Sequence, residues 1–349
     1  MNTERLMSNS KIVFEMESIN SDRSKAANIK PEDEQLFEHE FFKKIGSTQA
    51  IWYSRSYIFD SLLISNHRSQ NRFQTIVRYY NKTKHHVGLK ERFKLLHSTV
   101  LSIMLPPLKI RSGIWITDRW TQDYFHWVTE GLAKILFLSN IGLQTCVMLP
   151  ASYNNYNYIK ESLEYFNVKY LILPSYQLTQ AEEVYTVKFN YDPGNFDYRI
   201  LNLFRSKIKI ENSNTHIPKR IWVSRSNASK RRILNEIALY PVLSKYNFEI
   251  VFPEYLTFDN QVSLFQSADI IAGLHGAGLT NMLFMNTHSK VLEIRKKEDS
   301  LNNCYFTLAS DLKHDYYYLL ADPVGSNTHE GHCYVNEQLL ESVFSQMIS

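Results

Sequence analysis

The chain has 349 residues, enough for two domains, and its 44% hydrophobic and 21% charged residues exclude a disordered or fibrous protein. The 39 basic and 35 acidic side chains give a net charge of +4, which by itself does not indicate nucleic acid binding. The three cysteines, Cys146, Cys304 and Cys333, lie far apart and form neither a disulfide framework nor a paired metal motif, which favours a reducing compartment.

The first 45 residues are polar and charged with little periodicity, so we expect an extension that is partly helical at best. Acidic residues interrupt the place where a secretion signal has its apolar core, and no window approaches the roughly 18 apolar residues of a membrane span. We therefore expect a cytoplasmic protein with at most peripheral membrane contact. A basic stretch at 81–94 is more often a solvated face than a patch for an anionic acceptor.

After Gly113 the pattern becomes clearer, with a short apolar run at 114–116, a polar turn, and a helix predicted over 124–138. His126 and Glu130 are one helical turn apart and lie on the same face. The apolar positions of the helix form a separate stripe that we expect to be core: Phe125, Val128, Leu132, Ile135 and Leu136.

The pair formed by His126 and Glu130 has two interpretations. An imidazole and a carboxylate on a face outside the core can remove a proton from a hydroxyl group, with the carboxylate orienting the imidazole and raising its pKa, or acting itself. The spacing alone favours the other interpretation, a surface pair without a chemical role. Asp123, just before the helix, is a third candidate for the base.

The rest of the first half alternates strands and helices, which predicts a parallel sheet. A polar segment at 211–219 has the composition of a linker, and we place the domain boundary there. The predicted elements before it are strands at 145–150, 169–174 and 182–189 and helices at 156–166 and 198–210.

The second half shows the strand and helix repetition of a doubly wound α/β domain. Strands are predicted at 220–225, 248–253, 269–273 and 290–295, and helices at 233–246, 257–268 and 277–285. The stretch at 336–349 is predicted as a helix that either returns to the first domain or packs on a partner.

Two turns in this half have the residues of an anion site. In the segment 269–285 a strand runs through His275, Gly276 and Gly278 into a helix, whose start offers N–H groups and a positive dipole end to a phosphate. The alternative is a close-packed turn with a core histidine. Arg225 at a strand end and Arg231 a few residues later can converge on the same ligand, whereas an exposed basic turn is the simpler explanation for Lys230 and Arg232.

Glu293 lies inside the apolar strand 291–295, where a carboxylate is costly unless it is paired. It either accepts hydrogen bonds from ribose hydroxyls or forms a salt bridge with Arg295 or Lys296. The sequence has no phosphate-binding loop with lysine, no G-x-G-x-x-G and no pair of aspartates two residues apart, so it does not require a bound metal.

In combination, four segments resemble glycosyltransferase family 61, the group with the DUF563 catalytic domain: YFHWVTEGLAKILFL (124–138), VSRSNASKRRILNE (223–236), HGAGLTNMLFM (275–285) and VLEI (291–294). The resemblance covers about residues 110–300, and the order and spacing of the segments make it specific. Many relatives have Pro-Arg where this chain has Ala133 and Lys134, so the fine geometry at the acceptor is expected to differ.

The resemblance implies a GT-B architecture, with two Rossmann-like domains facing across a cleft, and an inverting, metal-independent transferase that uses a nucleotide sugar, most often a UDP-sugar. It implies no cofactor besides this co-substrate. The acidic position of the family's H-x-x-x-[DE] pattern corresponds to Glu130. The residues implied for donor binding are Arg225, Arg231, His275, Gly276, Ala277, Gly278, Asn281 and Glu293.

The domain prediction is an extension at 1–45, an acceptor-binding domain at 46–210, a donor-binding domain at 211–325 and a final helix at 326–349. The predicted function is transfer of a sugar to a hydroxyl of a glycan or lipid-linked glycan acceptor, in surface or capsular polysaccharide biosynthesis. The alternative is a non-catalytic nucleotide- or polysaccharide-binding subunit of an assembly complex. A nucleic-acid partner is not expected.

Overall fold

The computed structural model describes residues 10–59, 62–65, 96–97, 99–101, 104–118, 120–209, 218–297, 302–325 and 331–349. The basic stretch 81–94 and most of the expected linker lie outside these residues. Contacts between Cα atoms divide the chain into two compact units. The first consists of Met1–Glu17 and Ser47–Asn190, and the second of Ser18–Gly46 and Tyr191–Ser349. Residues 18–46 and the helix near residue 200 therefore group with the second unit, unlike the bounds expected from the sequence.

The described strands are numbered in chain order. They are β1 (Ser10–Met16), β2 (Ile19–Asp22), β3 (Phe42–Ile45), β4 (Thr48–Phe59), β5 (Leu62–Ser65), β6 (Leu108–Ile114), β7 (Val147–Pro150), β8 (Tyr170–Leu173), β9 (Thr179–Phe189), β10 (Arg220–Val223), β11 (Glu249–Val251), β12 (Ile270–Leu274), β13 (Lys290–Lys296), β14 (Asp315–Val324) and β15 (His332–Tyr334).

The first unit contains, in its described part, a seven-stranded mixed sheet in the order β1-β4-β9-β6-β7-β8, with β5 paired to β4. Strands β9, β6, β7 and β8 are parallel, as the alternation predicted, whereas β1, β5 and β9 run antiparallel to β4. The sequence missed β4, a strand of twelve residues inside the sheet, because its side chains alternate weakly and half of them are only partly buried. The apolar run at 114–116 does not form a strand of its own, because β6 already ends at Ile114, the first residue of that run.

The predicted helix at 124–138 is present and has three parts, which we name together α2. A first turn, Tyr124–His126, leads into a π-helical segment, Trp127–Leu132, and then into an α-helical end, Ala133–Asn140. The apolar stripe is in the core, except that Phe125 is only half-buried. The helix is buried on more than the one face that its apolar stripe predicted, because Trp127 and Phe137 on other sides of it are also buried.

The neighbours of α2 explain why most of its surface is covered. The indole N–H of Trp127 donates to Ser162 Oγ at 2.8 Å, on the helix α3 (Asn157–Tyr165). The ring of Phe137 contacts Phe14 on β1 at 5.7 Å. These contacts cover much of the helix, whereas the side chains of His126 and Glu130 stay partly exposed.

The second unit contains, among its described residues, a six-stranded sheet in the order β11-β10-β12-β13-β14-β15. Its first five strands are parallel and β15 is antiparallel, so the predicted doubly wound pattern is confirmed at the level of a parallel-rich α/β unit. The chain leaves β10 in one direction to form β11 and then returns to form β12 on the other side. The point between β10 and β12 is therefore a topological switch point, where ligands bind in open α/β sheets.

The helices of the second unit follow the predicted positions with shorter bounds. The helix predicted at 233–246 begins later, with a 3₁₀ turn, and the helix expected after His275 is a 3₁₀ helix. The helix at 304–311 and the strands β14 and β15 were not predicted. The bounds are α1 (Glu38–Phe41), α4 (Tyr198–Ser206), α5 (Tyr240–Lys245), α6 (Phe258–Gln266), α7 (Cys304–Asp311) and α8 (Glu337–Ile348), with 3₁₀ helices at Pro31–Leu36, Glu236–Leu239, Pro253–Tyr255 and Ala277–Phe284.

The last helix, α8, packs on the sheet of its own unit. Phe344 is fully buried and stacks on Phe248 with ring centroids 4.2 Å apart. Leu340 and Met347 join the same core cluster as Trp222. Neither expected alternative for this helix, return to the first domain or packing on a partner, describes it, because its apolar face is already covered here.

The N-terminal segment is also part of the folded structure, so the expectation of a loosely structured extension is wrong for its described residues. Strands β2 and β3 pair with each other, and Phe37 is fully buried against Phe306 at 4.9 Å. The guanidinium of Arg23 is buried and binds Asp311 at 2.9 Å and Glu40 at 3.1 Å. Within the described residues, no helix has the length and apolarity needed to cross a bilayer.

Candidate functional site

The second unit brings two turns side by side, one that contains arginines and one that contains glycines. Strands β10 and β12 are parallel neighbours, with Val223 paired to Gly273. The turn after β10 carries Arg225, and the turn after β12 carries His275 and Gly276. Because parallel strands end at the same sheet edge, both turns lie at the switch point.

A glycine allows these two turns to touch. A Cβ atom on Gly276 would lie 2.3 Å from Nη1 of Arg225, so the Arg225 side chain lies directly against the Gly276 backbone. A Cβ atom on Gly278 would lie 2.5 Å from Cγ1 of Val223. Since the backbone of Gly276 is extended, with φ 167°, its requirement for glycine comes from this close approach and not from backbone conformation.

Arg225 is held by backbone oxygens of its own turn. Its Nε donates to the carbonyl oxygen of Arg231 at 3.0 Å, and its Nη2 donates to that of Lys230 at 3.4 Å. Burial lowers the pKa of Arg225, and the nearby positive charge of Arg231 lowers it further. Two cations close together on a partly buried surface favour an anion between them.

Glu293 differs from its predicted role. It is 0% exposed, its Oε1 accepts from Nδ1 of His275, and its Oε2 accepts from the hydroxyl of Tyr316 at 2.5 Å. Burial raises the pKa of Glu293, but the charge and hydrogen bond of His275 and the charge of Arg295 outweigh it, so the pKa lies below its usual value. A ribose contact requires an accessible carboxylate oxygen, and this carboxylate is enclosed.

The remaining side of the His275 ring is also occupied. Nδ2 of Asn302 lies 3.1 Å from Nε2 of His275, and the ring of Tyr305 meets the imidazole edge-on at 4.9 Å. His275 is therefore the core histidine that the sequence analysis kept as its alternative. Its side chain fixes the shape of the turn, and the turn's backbone faces the switch point.

Two further predicted donor residues have different surroundings. Asn281 is fully buried, and its Nδ2 donates to Oε1 of Gln261 on α6 at 3.0 Å, so it holds the 3₁₀ helix against α6. Ala277 is half-buried at the start of that 3₁₀ helix, next to Gly276. The structure thus brings Arg225, Arg231 and the backbone of 276–278 together at the sheet edge, and it places Asn281 and Glu293 in the packing behind them.

The Arg225 turn is held by an acidic residue, Glu236, that was not predicted as part of the site. Glu236 is buried, and its two carboxylate oxygens accept from the indole of Trp222 at 2.7 Å and from Ser224 Oγ at 2.8 Å. Asn235 exchanges two hydrogen bonds with the backbone of Val335. The Asn-Glu pair was visible only as part of the family resemblance, because nothing local in the sequence shows that both side chains point inward.

In the first unit, the predicted pair is formed. Nδ1 of His126 donates to Oε1 of Glu130 at 2.8 Å, and both side chains are partly exposed. Burial lowers the pKa of His126, but the hydrogen bond and charge of Glu130, with the charges of Asp118 and Asp123, raise it above its usual value. The pair lies where α2 changes to π-helical winding, an irregularity often found at functional sites.

A tight turn before α2 carries the third base candidate. Oδ1 of Asp118 accepts from the backbone N–H groups of Trp120 and Thr121, at 2.8 and 3.0 Å, and from the Thr121 hydroxyl. Asp123 follows at the start of the helix and is exposed. Asp123 therefore contributes charge near His126, whereas Glu130 makes the direct hydrogen bond. Among the described residues, no group of three or more His, Cys, Asp or Glu could hold a metal ion.

Comparison with known proteins gives a family match for the region that contains most of these residues. Residues 124–292 match the sequence profile of the family described as Glycosyltransferase 61. The chain is 40% identical over 82 residues to the EGF domain-specific O-linked N-acetylglucosamine transferase of Drosophila melanogaster, which is 23% of this chain and 15% of that protein. It is 34% identical over 95 residues to the protein of the same name from Pan troglodytes, 26% of this chain and 18% of that one. The chain therefore matches less than one fifth of the length of these relatives.

Proposed function

We propose, from the glycosyltransferase family 61 domain at residues 124–292, that this protein transfers a sugar from a nucleotide sugar, most simply a UDP-sugar, to a hydroxyl of a glycan acceptor. The observation that carries the proposal is the position of the matched region. It contains the pair of His126 and Glu130 as well as the two turns that carry Arg225 and His275.

On the donor side, the diphosphate binds at the switch point of the second unit. Arg225 and Arg231 neutralise its charge, and the backbone around Gly276 approaches it closely because no Cβ intervenes. These groups also stabilise the charge that develops on the diphosphate as it leaves. The proposed reaction needs no metal, since the cations of the turn supply the required positive charge.

On the acceptor side, Glu130 is the base, and His126 is its hydrogen-bonded partner. In a single inverting displacement, the acceptor oxygen forms a bond to the anomeric carbon while the bond from that carbon to the diphosphate oxygen breaks. The proton of the acceptor hydroxyl passes to the Glu130 carboxylate. The names of the relatives make N-acetylglucosamine the first donor sugar to test.

A GT-B arrangement, a role in surface or capsular polysaccharide biosynthesis, and a cytoplasmic location stay predictions from the resemblance. The second candidate function is that of a non-catalytic nucleotide- or polysaccharide-binding subunit. Such a subunit uses the donor turns for binding and transfers no sugar. The hydrogen-bonded pair of His126 and Glu130 favours the enzyme, because a binding subunit does not need a base.

The test begins with ligand-induced thermal stabilisation by UDP, GDP, CMP, dTDP and ADP, each with and without EDTA. We expect selective stabilisation by UDP that EDTA leaves unchanged. Labelled UDP-sugars are then tested for transfer or for slow hydrolysis. No response to any nucleotide, or binding without transfer and hydrolysis, contradicts the transferase proposal.

Two variants separate the roles of the two units. Arg225→Ala is expected to weaken UDP binding at least about tenfold, because it removes a charge-assisted contact worth about 1.5–3 kcal/mol. Glu130→Ala is expected to abolish transfer and to leave the dissociation constant for UDP unchanged. Loss of UDP binding in Glu130→Ala, or unchanged binding in Arg225→Ala, contradicts this division.

A further inference from the structure

An exposed tryptophan stands beside the proposed base. Trp120 is 55% exposed. Its backbone N–H donates to Oδ1 of Asp118 at 2.8 Å, and its carbonyl oxygen accepts from the N–H of Asp123 at 2.9 Å. Both backbone polar groups of Trp120 are therefore hydrogen-bonded, and its large aromatic side chain is presented to solvent.

The Trp120 ring lies next to the pair that we propose removes the acceptor proton. Its centroid is 6.4 Å from that of His126, with the two planes inclined by 36°. The Phe125 ring contacts the same imidazole edge-on at 5.2 Å. His126 in turn binds Glu130, so a single side chain lies between the Trp120 ring and the carboxylate of Glu130.

The chemistry of this surface fits a sugar ring. A pyranose has a face of C–H groups and an edge of hydroxyl groups, so it matches an aromatic face with a hydrogen-bond acceptor beside it. Trp120 supplies the aromatic face and loses only two side-chain torsions on binding. The exposed carboxylate of Asp123 supplies the acceptor for hydroxyl donors.

We propose that Trp120 and Asp123 form a subsite for the acceptor's sugar ring, which places one acceptor hydroxyl at Glu130 and His126. The inference rests on the proposed transferase function and deepens it, because it assigns the acceptor subsite to a pyranoside and assigns Asp123 to binding instead of proton removal. The indole orients the ring, so the hydroxyl that reacts is chosen by stacking as well as by proximity.

The test uses methyl β-glycosides of glucose, galactose and N-acetylglucosamine as probes, with binding followed by saturation-transfer NMR. We expect at least one glycoside to bind the unaltered protein. Trp120→Ala and Trp120→Leu should weaken that binding about tenfold or more, Trp120→Phe should keep it within about threefold, and Asp123→Asn should weaken it severalfold. Rescue by Phe but not by Leu distinguishes stacking from simple filling of space.

The matched control is Phe42→Ala on β3, because Phe42 is 62% exposed and thus comparable to Trp120. This variant should bind the glycoside as the unaltered protein does. Absence of glycoside binding to the unaltered protein, or unchanged binding in Trp120→Ala, overturns the subsite. UDP binding measured in the same samples reports on the donor site, so failure of the subsite and failure of the proposed function give different results.

Discussion

At the residue scale, the two imidazole and carboxylate pairs of this protein have the same chemistry and different surroundings. The side chains of His126 and Glu130 are 23% and 17% exposed, whereas those of His275 and Glu293 are 8% and 0% exposed. Of these two pairs, only the first is exposed enough to remove a proton from an acceptor hydroxyl. The second pair instead holds a turn in shape, so burial decides which pair is available for chemistry.

The raised pKa of His126 depends mainly on its partner. We expect Glu130→Gln to lower the pKa of His126, because the opposing charge is lost while burial still disfavours the imidazolium. The measurement is an NMR titration of the imidazole between pH 5 and 9. Asp123→Asn removes only a more distant charge and should lower the pKa less. An equal or larger decrease in Asp123→Asn would show that Glu130 is not the dominant partner.

The lowered pKa of Glu293 predicts a change of stability with pH. A carboxyl group with a folded-state pKa below 4.5 stabilises the fold fully above that pH and loses this contribution as the pH falls through the folded-state pKa. We expect Glu293→Gln to lower the free energy of unfolding by about 3 kcal/mol at pH 7, because it breaks a buried pair. The difference from the unaltered protein should shrink below about pH 4.5, the unfolded-state pKa.

Denaturant unfolding at several pH values tests this expectation. Glu15→Gln is the matched control, because Glu15 is an exposed carboxyl whose pKa is also lowered, by its hydrogen bond from Gln49 at 2.8 Å. The control should unfold as the unaltered protein does. A loss of stability in Glu293→Gln that stays the same from pH 7 to pH 3.5 would contradict a charged Glu293 in the folded state.

At the element scale, the site depends on two turns whose neighbouring strands are adjacent in space and separated by about 45 residues in sequence. Each turn has its own support: Glu236 holds the Arg225 turn, and Glu293 holds the His275 turn. The contact between Arg225 and Gly276 joins them. The spacing of strands and helices predicted both turns, whereas the supporting carboxylates became evident only from their partners.

Added methyl groups at Gly276 and Gly278 are expected to affect different properties, UDP binding in the first case and stability in the second. In Gly276→Ala the new Cβ meets the end of the flexible Arg225 side chain, so we expect Arg225 to move and UDP binding to weaken about tenfold, with little loss of stability. In Gly278→Ala the new Cβ meets Val223 at the buried end of β10, so we expect a loss of about 1–3 kcal/mol from overpacking. UDP titration and thermal unfolding of both variants give the comparison, and equal effects on stability would contradict it.

At the scale of the whole molecule, the N-terminal segment 18–46 is an integral part of the second unit. Arg23 links it to α7 through Asp311, and Nη1 of Arg23 also donates to Asn195 at 3.1 Å. Burial raises the pKa of Asp311 even though the hydrogen bonds and charge of Arg23 oppose this effect. The cluster therefore holds an enclosed carboxylate that depends on its arginine.

Removal of that arginine should destabilise the second unit. We expect Arg23→Ala to lower the free energy of unfolding by about 3–5 kcal/mol, because it leaves the buried carboxylate of Asp311 without its cation. Lys25→Ala is the matched control, since Lys25 forms an exposed ion pair with Glu34, and it should cost about 1 kcal/mol or less. Urea unfolding of both variants is the measurement. Similar losses in the two variants would show that the buried cluster does not anchor the segment.

The sequence alone predicted the parallel strands β7 to β13, the placement of His126 and Glu130 on one helix face, and the two turns that follow β10 and β12. These features follow from local periodicity and from the rule that parallel strands end at one edge, so no distant contact is needed to predict them. Residues 108–189 were predicted only in part. Strand β9 lies between β6 and β4, and the weak pattern of β4 did not indicate this pairing. A strand inside a sheet is defined by its neighbours on both sides.

Only the tertiary structure decided which polar residues face solvent and which face the packing. Glu293, Asn281 and Glu236 are polar in sequence and are enclosed by partners 12 to 23 positions away, such as Tyr316, Gln261 and Ser224. The place of residues 18–46 and of α8 in the second unit also depends on distant contacts. Periodicity reports which face of an element is apolar, but the partner of a buried charge is set by the fold, since burial without a partner is too costly to persist.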